Sequence, residues 1–288
     1  MAYVFSTGRL VYNGDEIGTL SSVSTDDSDS LIPLSGNMKA PLKIASGPGK
    51  MSISAKFTAF DAAVLATITN AAMAPAAAEV ALVWYLTDTA GVVKSVTYPN
   101  VTITSIKLSA GADKWLECDM TFEAACAGGT GAIRTIATEA GGVPALDPIT
   151  SKWAFSTGTF TLQTHSVGTM NSLSLDISFS PIPLMSAYKY PIAIAQGPIK
   201  VSGSSKCTAL DLNFLESVSA NALMASPSGE LTAVWAFVDT AGTTHTITLP
   251  NVTISGTKTS AGADKWFETD VTFEAAAAAS DSNILEVT

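Results

Sequence analysis

Two short stretches carry the side chains best suited to chemistry, and they are near copies of each other. In Trp115-Leu116-Glu117-Cys118-Asp119-Met120-Thr121-Phe122-Glu123, the carboxylates Glu117, Asp119 and Glu123 alternate with apolar residues. Glu268, Asp270 and Glu274 do the same around Thr269, Val271 and Phe273. Strict alternation puts the acids on one face of a β-strand and their neighbours on the other. Glu117 and Asp119 would stand about 7 Å apart there, a spacing compatible with paired-carboxylate hydrolysis of glycosides. Neither stretch brings the aromatic companions of a sugar cleft, which argues against catalysis. Two readings of the acidic stripe stay open: a solvated strand face, or a surface turned toward a shared channel.

Other chemistry is thinner. Asp113-Lys114-Trp115 recurs as Asp264-Lys265-Trp266, placing a carboxylate, an amine and an indole side by side. A hairpin tip needs such residues for its own sake, Asp for the turn backbone and Lys for solvation, with Trp covering the sheet edge. His165 and His245 fall at unrelated positions, and Walker, HExxH, GxSxG and dinucleotide fingerprints are missing. Cys118, Cys126 and Cys207 have no CxxC spacing or even-numbered framework and read as free, mostly buried thiols. The sequence therefore nominates no catalytic, cofactor-binding or metal-ligating residue, and an enzyme is not expected. The sequons at Asn100 and Asn251 carry little weight without a secretory signal, which the first residues do not resemble.

The elements that must position the stripes also occur twice. Phe5-Ser6-Thr7-Gly8 returns at Phe155-Ser156-Thr157-Gly158, and Lys56-Phe57-Thr58-Ala59 at Lys206-Cys207-Thr208-Ala209, an offset of 150. After one inserted residue, Asp88-Thr89-Ala90-Gly91 matches Asp239-Thr240-Ala241-Gly242, and 109–124 matches 260–275 with 13 of 16 positions identical. So long a period marks a repeated domain, since solenoid repeats run roughly 20 to 50 residues. The expected organisation is a first copy at 1–137, a linker at 138–150 within a Gly- and Pro-rich stretch, and a second copy at 151–288. Each copy reads as mainly β. Val80 to Thr87 and Leu231 to Val238 are strands with Trp84 and Trp235 as core anchors, followed by a hairpin turn at Asp-Thr-Ala-Gly. One helix per copy is expected, capped by Thr58 with Asp61 and by Thr208 with Asp211, with Phe60, Val64, Leu65 and Ile68 and their counterparts at helical spacing. The polar stretch from Leu20 to Pro41, acidic at Asp26, Asp27 and Asp29, reads as a long arm or hairpin, as does Met170 to Pro191.

Composition narrows the class. Charged residues make up 14%, well below the roughly 25% of an average soluble domain, so much of the surface is uncharged, as suits a subunit of an assembly. The net charge of −10 is shared evenly between the halves, which excludes a nucleic-acid clamp because gripping phosphates needs clustered Lys and Arg. The longest apolar-rich stretch, Ala62 to Leu86, is broken by Asn70, Pro75 and Glu79 and is not a membrane span.

Leu249-Pro250-Asn251-Val252-Thr253-Ile254, then Ser260-Ala261-Gly262-Ala263-Asp264-Lys265-Trp266 and the strand to Ala275, together with the same series from Tyr98 to Ala124, resemble the C-terminal half of bacteriophage tail tube (major tail) proteins. Most members resembling this pattern have one such domain and form hexameric rings, whereas this chain has two. The resemblance implies a tandem pair of β-sandwich or barrel-like domains, each with one packed helix and a long arm or hairpin. It further implies homotrimeric, pseudo-hexameric rings that stack into the tube of a long tail, assembled in the host cytoplasm and carried in the virion. The partners it implies are further copies of the chain, the tape measure, tail tip and terminator proteins, and phage DNA that passes through without specific binding, with no membrane. The acidic stripes, or the arm at Asp26, Asp27 and Asp29, would then face the lumen or the ring-to-ring contact, where negative charge would lower friction on outgoing DNA. A head-decoration protein, or another two-domain β-sandwich surface or binding protein, is the competing reading.

Overall fold

The computed structural model describes residues 3–34, 43–60, 65–66, 69–70, 79–112, 114–127, 131–143, 153–154, 159–162, 165–208, 231–263, 266–276 and 284–288. These residues are overwhelmingly strand. The first half holds β1 (Tyr3–Tyr12), β2 (Asp15–Glu16), β3 (Gly18–Leu34), β4 (Lys43–Phe60), β5 (Val80–Asp88), β6 (Val93–Gly111), β7 (Glu117–Ala125) and β8 (Thr135–Thr138). The second half holds β9 (Trp153–Ala154), β10 (Thr159–Leu162), β11 (His165–Leu184), β12 (Ala193–Thr208), β13 (Leu231–Asp239), β14 (Thr244–Ser260), β15 (Glu268–Ala276) and β16 (Glu286–Val287).

All belong to one antiparallel sheet. In the second half the path β10-β13-β14-β15-β12-β11 returns to β10 through a β10–β11 pairing, which closes a six-stranded barrel. In the first half β1-β5-β6-β7-β4-β3 follows the corresponding path, with β1 beside β3 but no ladder between them. The irregularities correspond as well. β3 and β4 shift register between Leu20 and Ser22 and between Asp29 and Leu31, and β11 and β12 between Met170 and Ser172 and between Phe179 and Pro181. The β6–β7 bulge at Ile103/Ser105 has its counterpart in β14–β15 at Ile254/Gly256. Among the described residues a single ladder joins the halves: β6 from Ser105 to Gly111 pairs with β11 from Ser172 to Ser178.

The expected turns form for the expected reason. Asp88 Oδ1 accepts the Ala90 and Val92 N–H groups, Asp239 Oδ1 accepts those of Ala241 and Thr243, and Gly91 and Gly242 take the positive φ that closes each loop. The long polar arms are hairpins, β3–β4 and β11–β12, whose outer ends reach past the rest of the sheet.

One packed helix per half is not what the described residues contain. Thr58, expected as an N-cap, is a strand residue, because β4 continues to Phe60 and pairs there with Gly18 of β3. Only Leu65, Ala66, Thr69 and Asn70 are helical, and Thr69 Oγ1 donates back to the Leu65 carbonyl as a helical threonine does. Thr208 ends β12, and Leu210, Asp211, Phe214, Leu215 and Val218 lie outside the described residues. In the expected linker, Thr138 closes β8, while 144–150 lie outside the described residues.

The core lies between the sheet's inner faces. Trp235 is fully buried, stacks on Phe160 at 5.2 Å and donates its indole N–H to Ser205 Oγ at 2.8 Å. Trp84, its counterpart in sequence, is only half-buried at the core margin, so the two tryptophans are not equivalent anchors. The three cysteines are free and fully buried, and burial pushes the Cys207 thiol up to about 12. Replacing Trp235 with Ala should lower stability by about 3–5 kcal/mol in chemical denaturation. The native thiols should ignore a thiol-reactive dye until the chain unfolds, and prompt labelling of the folded protein would contradict the packing.

Candidate functional site

Because directly opposed residues of paired strands share a face, the register alone builds a continuous surface across eight strands in the order β3-β4-β7-β6-β11-β12-β15-β14. One face takes the apolar residues, among them Ile53 and Phe57 of β4, Met120 and Phe122 of β7, Ile106 and Leu108 of β6, Leu175 and Ile177 of β11, and Phe273 of β15, all buried. The other face takes hydroxyls and charges. Ser52 and Ser54, Ser174 and Ser178, and Ser202 and Ser204 fill it between the charged positions.

Every stripe residue expected from sequence lies on this polar face, and none is a bare carboxylate. Lys56 meets Glu117 at 2.7 Å and Lys206 meets Glu268 at 2.7 Å. Lys50 lies 3.0 Å from Glu123, and Lys200 lies 3.4 Å from Glu274. Asp119 stands between Lys56 of β4 and Lys107 of β6, and Asp270 between Lys206 of β12 and Lys258 of β14. Beyond Lys107, across the ladder between halves, stands Asp176. Charge therefore alternates over four strands as Lys56, Asp119, Lys107, Asp176. In the second half the row Lys206, Asp270, Lys258 ends at the edge of the sheet. The wall as a whole sets the carboxylates of Asp26, Glu117, Asp119, Glu123, Asp176, Glu268, Asp270 and Glu274 against the six lysines.

Most of these groups stay hydrated. Glu123 is the exception, buried beneath Lys50 and its neighbours. The hydrogen bond that Lys56 donates to Glu117 raises the Lys56 pKa, with Asp119 adding to it, and the one that Lys206 donates to Glu268 raises that of Lys206 in the same way.

The acidic arm is divided by strand parity. Asp26 points to the polar face and is exposed, whereas Asp27 and Asp29 fall on the opposite side. There Asp27 accepts the Tyr190 hydroxyl at 2.7 Å, and Lys189 reaches Asp29 at 2.7 Å. Both partners lie on the loop at the far end of the β11–β12 hairpin, so these two aspartates fasten one half to the other. The same hairpin is held by Cys126 N–H donating to the Pro191 carbonyl, Ile194 N–H donating to Glu79 Oε1, and Gln196 Nε2 donating to the Ile103 carbonyl. Trp115 and Trp266 stand exposed at the hairpin tips rather than covering the sheet edge. His245 is paired with Asp239 at 3.1 Å and stacked on Trp153 at 4.5 Å, a packing role.

Sequence reasoning found the acids and passed over the lysines. Their signal was equally present: Lys50-Met51-Ser52-Ile53-Ser54-Ala55-Lys56 alternates as strictly as the acidic strand, and Lys200 and Lys206 repeat it. No protein family model matches the chain, and no curated protein is significantly similar to it.

Because a lysine whose folded pKa is raised stabilises the fold fully below its unfolded value and loses that contribution as pH rises through the folded one, the ladder should weaken above pH 10.5. Melting temperatures measured across that range should fall for the parent and fall less for a Lys56→Met, Lys206→Met double variant.

Proposed function

We propose that the chain is a structural tail tube protein whose two halves are tandem copies of one tube domain, three chains forming a pseudo-hexameric ring and rings stacking into a conduit for phage DNA. The observation that carries the reading is the eight-stranded wall with one dry and one polar face. A polyanion passing such a face meets hydroxyls and carboxylates whose lysines are already engaged, so it finds little to grip. Corresponding ladders and bulges in the two halves are what a fused pair of like domains would have, and the sequence resemblance described above points the same way.

Stacking has a candidate surface too. Ile32 and Leu34 of β3, and Ile182 and Leu184 of β11, are all more than half exposed at the ends of the two long hairpins. Apolar side chains repeated at matching positions and left in water suit contact with a neighbouring ring. Tape measure, tail tip and terminator proteins, and a place in the virion, belong to the same proposal.

Negative-stain electron microscopy of the purified chain at rising concentration tests it. Hollow tubes, or three-fold rings with six lobes, are the expected outcome, and compact particles that never stack would transfer the reading to a decoration protein. Particles carrying Glu117→Gln, Asp119→Asn, Glu268→Gln and Asp270→Asn should assemble but release DNA more slowly, because lysines then outnumber carboxylates on the wall. Unchanged release kinetics would remove the wall from the lumen.

A further inference from the structure

Two sheet edges in this chain have the same design as the two that already meet inside it. β6 joins β11 through Ser105 to Gly111 and Ser172 to Ser178. The positions corresponding to these in the other halves, at the sequence offsets of 151 and 150, are Gly256 to Gly262 on β14 and the loop after it, and Ser22 to Ser28 on β3. Among the described strands, β3 pairs with β4 alone, and β14 beyond Ile254 pairs with β15 alone. Thr257, Lys258, Thr259, Ser260, Ser24, Thr25 and Asp26 are exposed accordingly. The β3 segment runs without a register shift from Ser22 to Asp29, so it offers a regular template for another strand.

We infer that β14 of one chain pairs antiparallel with β3 of a second copy, in the register Ser22 opposite Gly262, Ser24 opposite Ser260, Asp26 opposite Lys258 and Ser28 opposite Gly256. The charge row identifies the occupant. Within the chain, Lys56, Asp119 and Lys107 end on Asp176 across the inner ladder, while the row Lys206, Asp270 and Lys258 meets no further strand among the described residues. In the stated register Asp26 of the second copy takes the place that Asp176 takes inside. The β3–β4 hairpin supplies an independent observation. Ile194 on the β11–β12 hairpin is 3% exposed because it lies on the first half, whereas its counterpart Ile44 is 60% exposed, with no corresponding half beneath it among the described residues. A second copy on the β3 edge would bring its second half under Ile44, as the first half lies under Ile194.

The contact is head-to-tail, so it closes into a ring or propagates as a filament according to the rotation between copies. It rests on the assembly reading above and specifies that reading's interface. It also differs from the inner ladder in composition: Leu173, Leu175 and Ile177 against Ala110, Leu108 and Ile106 inside become Val23, Thr25 and Asp27 against Ala261, Thr259 and Thr257 between chains. Backbone hydrogen bonds and the Asp26–Lys258 pair, more than apolar burial, hold the outer contact.

Cysteine pairs and a charge exchange test the register in the full-length chain. Opposed residues have Cα atoms near enough for a disulfide, about 4.5–5.5 Å, and diagonal ones at about 7–8 Å do not. Oxidised assemblies of Ser24→Cys, Ser260→Cys should yield covalently linked multimers, and Ser24→Cys, Lys258→Cys should not. Asp26→Lys alone should raise the concentration needed for assembly about tenfold or more, since it sets two lysines together, and Asp26→Lys with Lys258→Asp should restore it. Both positions are exposed in the single chain, so circular dichroism of each variant should match the parent. If the parent assembles but the opposed pair fails to cross-link, or the exchange fails to rescue, this contact is wrong and the assembly reading survives. A parent chain that never self-associates overturns both.

Discussion

The ladder between β6 and β11 is the constraint on which the rest of the molecule depends. It fuses two sets of strands into a single sheet, and it fixes which residues of one half stand opposite which residues of the other. Ile106 and Leu108 stand beside Ile177 and Leu175 on the dry face, and all four are fully buried. Those same four side chains set the parity of everything on the opposite face, since a one-residue slip would send Lys107 and Asp176 into the core. Apolar packing on one side thus enforces the charge order on the other.

On the polar side, the arrangement of charges decides more than their sum. Surface ion pairs contribute little to stability, typically about 0–1 kcal/mol each, so the lysine–carboxylate rows are not what keeps the sheet folded. Their effect is on register and on what the face can bind. A lysine held by two carboxylates, as Lys56 is by Glu117 and Asp119, is poorly placed to engage a passing phosphate. The serines between the rows keep the wall hydrated without adding charge.

Much of this was legible in the sequence, and the rest was hidden for definite reasons. Period-two alternation in Glu117 to Glu123 gave both the strand and its faces, and Asp88 and Asp239 announced their turns because an aspartate at that point in a hairpin can accept two loop N–H groups. The helix start at Thr58 was misread because Thr-x-x-Asp is a local signal, while the strand there is sustained by a partner some forty residues away in β3. Asp26, Asp27 and Asp29 looked like one acidic arm. Only pairing reveals that parity sends Asp26 one way and the other two toward Lys189 and Tyr190, more than 150 residues distant. The eight-stranded wall could not be read at all from local pattern, because its central pairing is a long-range contact.

The way the inner ladder is built bears on the kinetics of the proposed assembly. In the proposed ring, carrying two such halves in one chain would make every second contact intramolecular, formed at an effective concentration set by the tether rather than by the supply of free chains. Only the remaining contacts of that ring would obey mass action among free chains. The polar outer edges would then set a threshold for the proposed assembly, staying apart when chains are scarce and engaging steeply once supply passes the point at which several weak contacts form together.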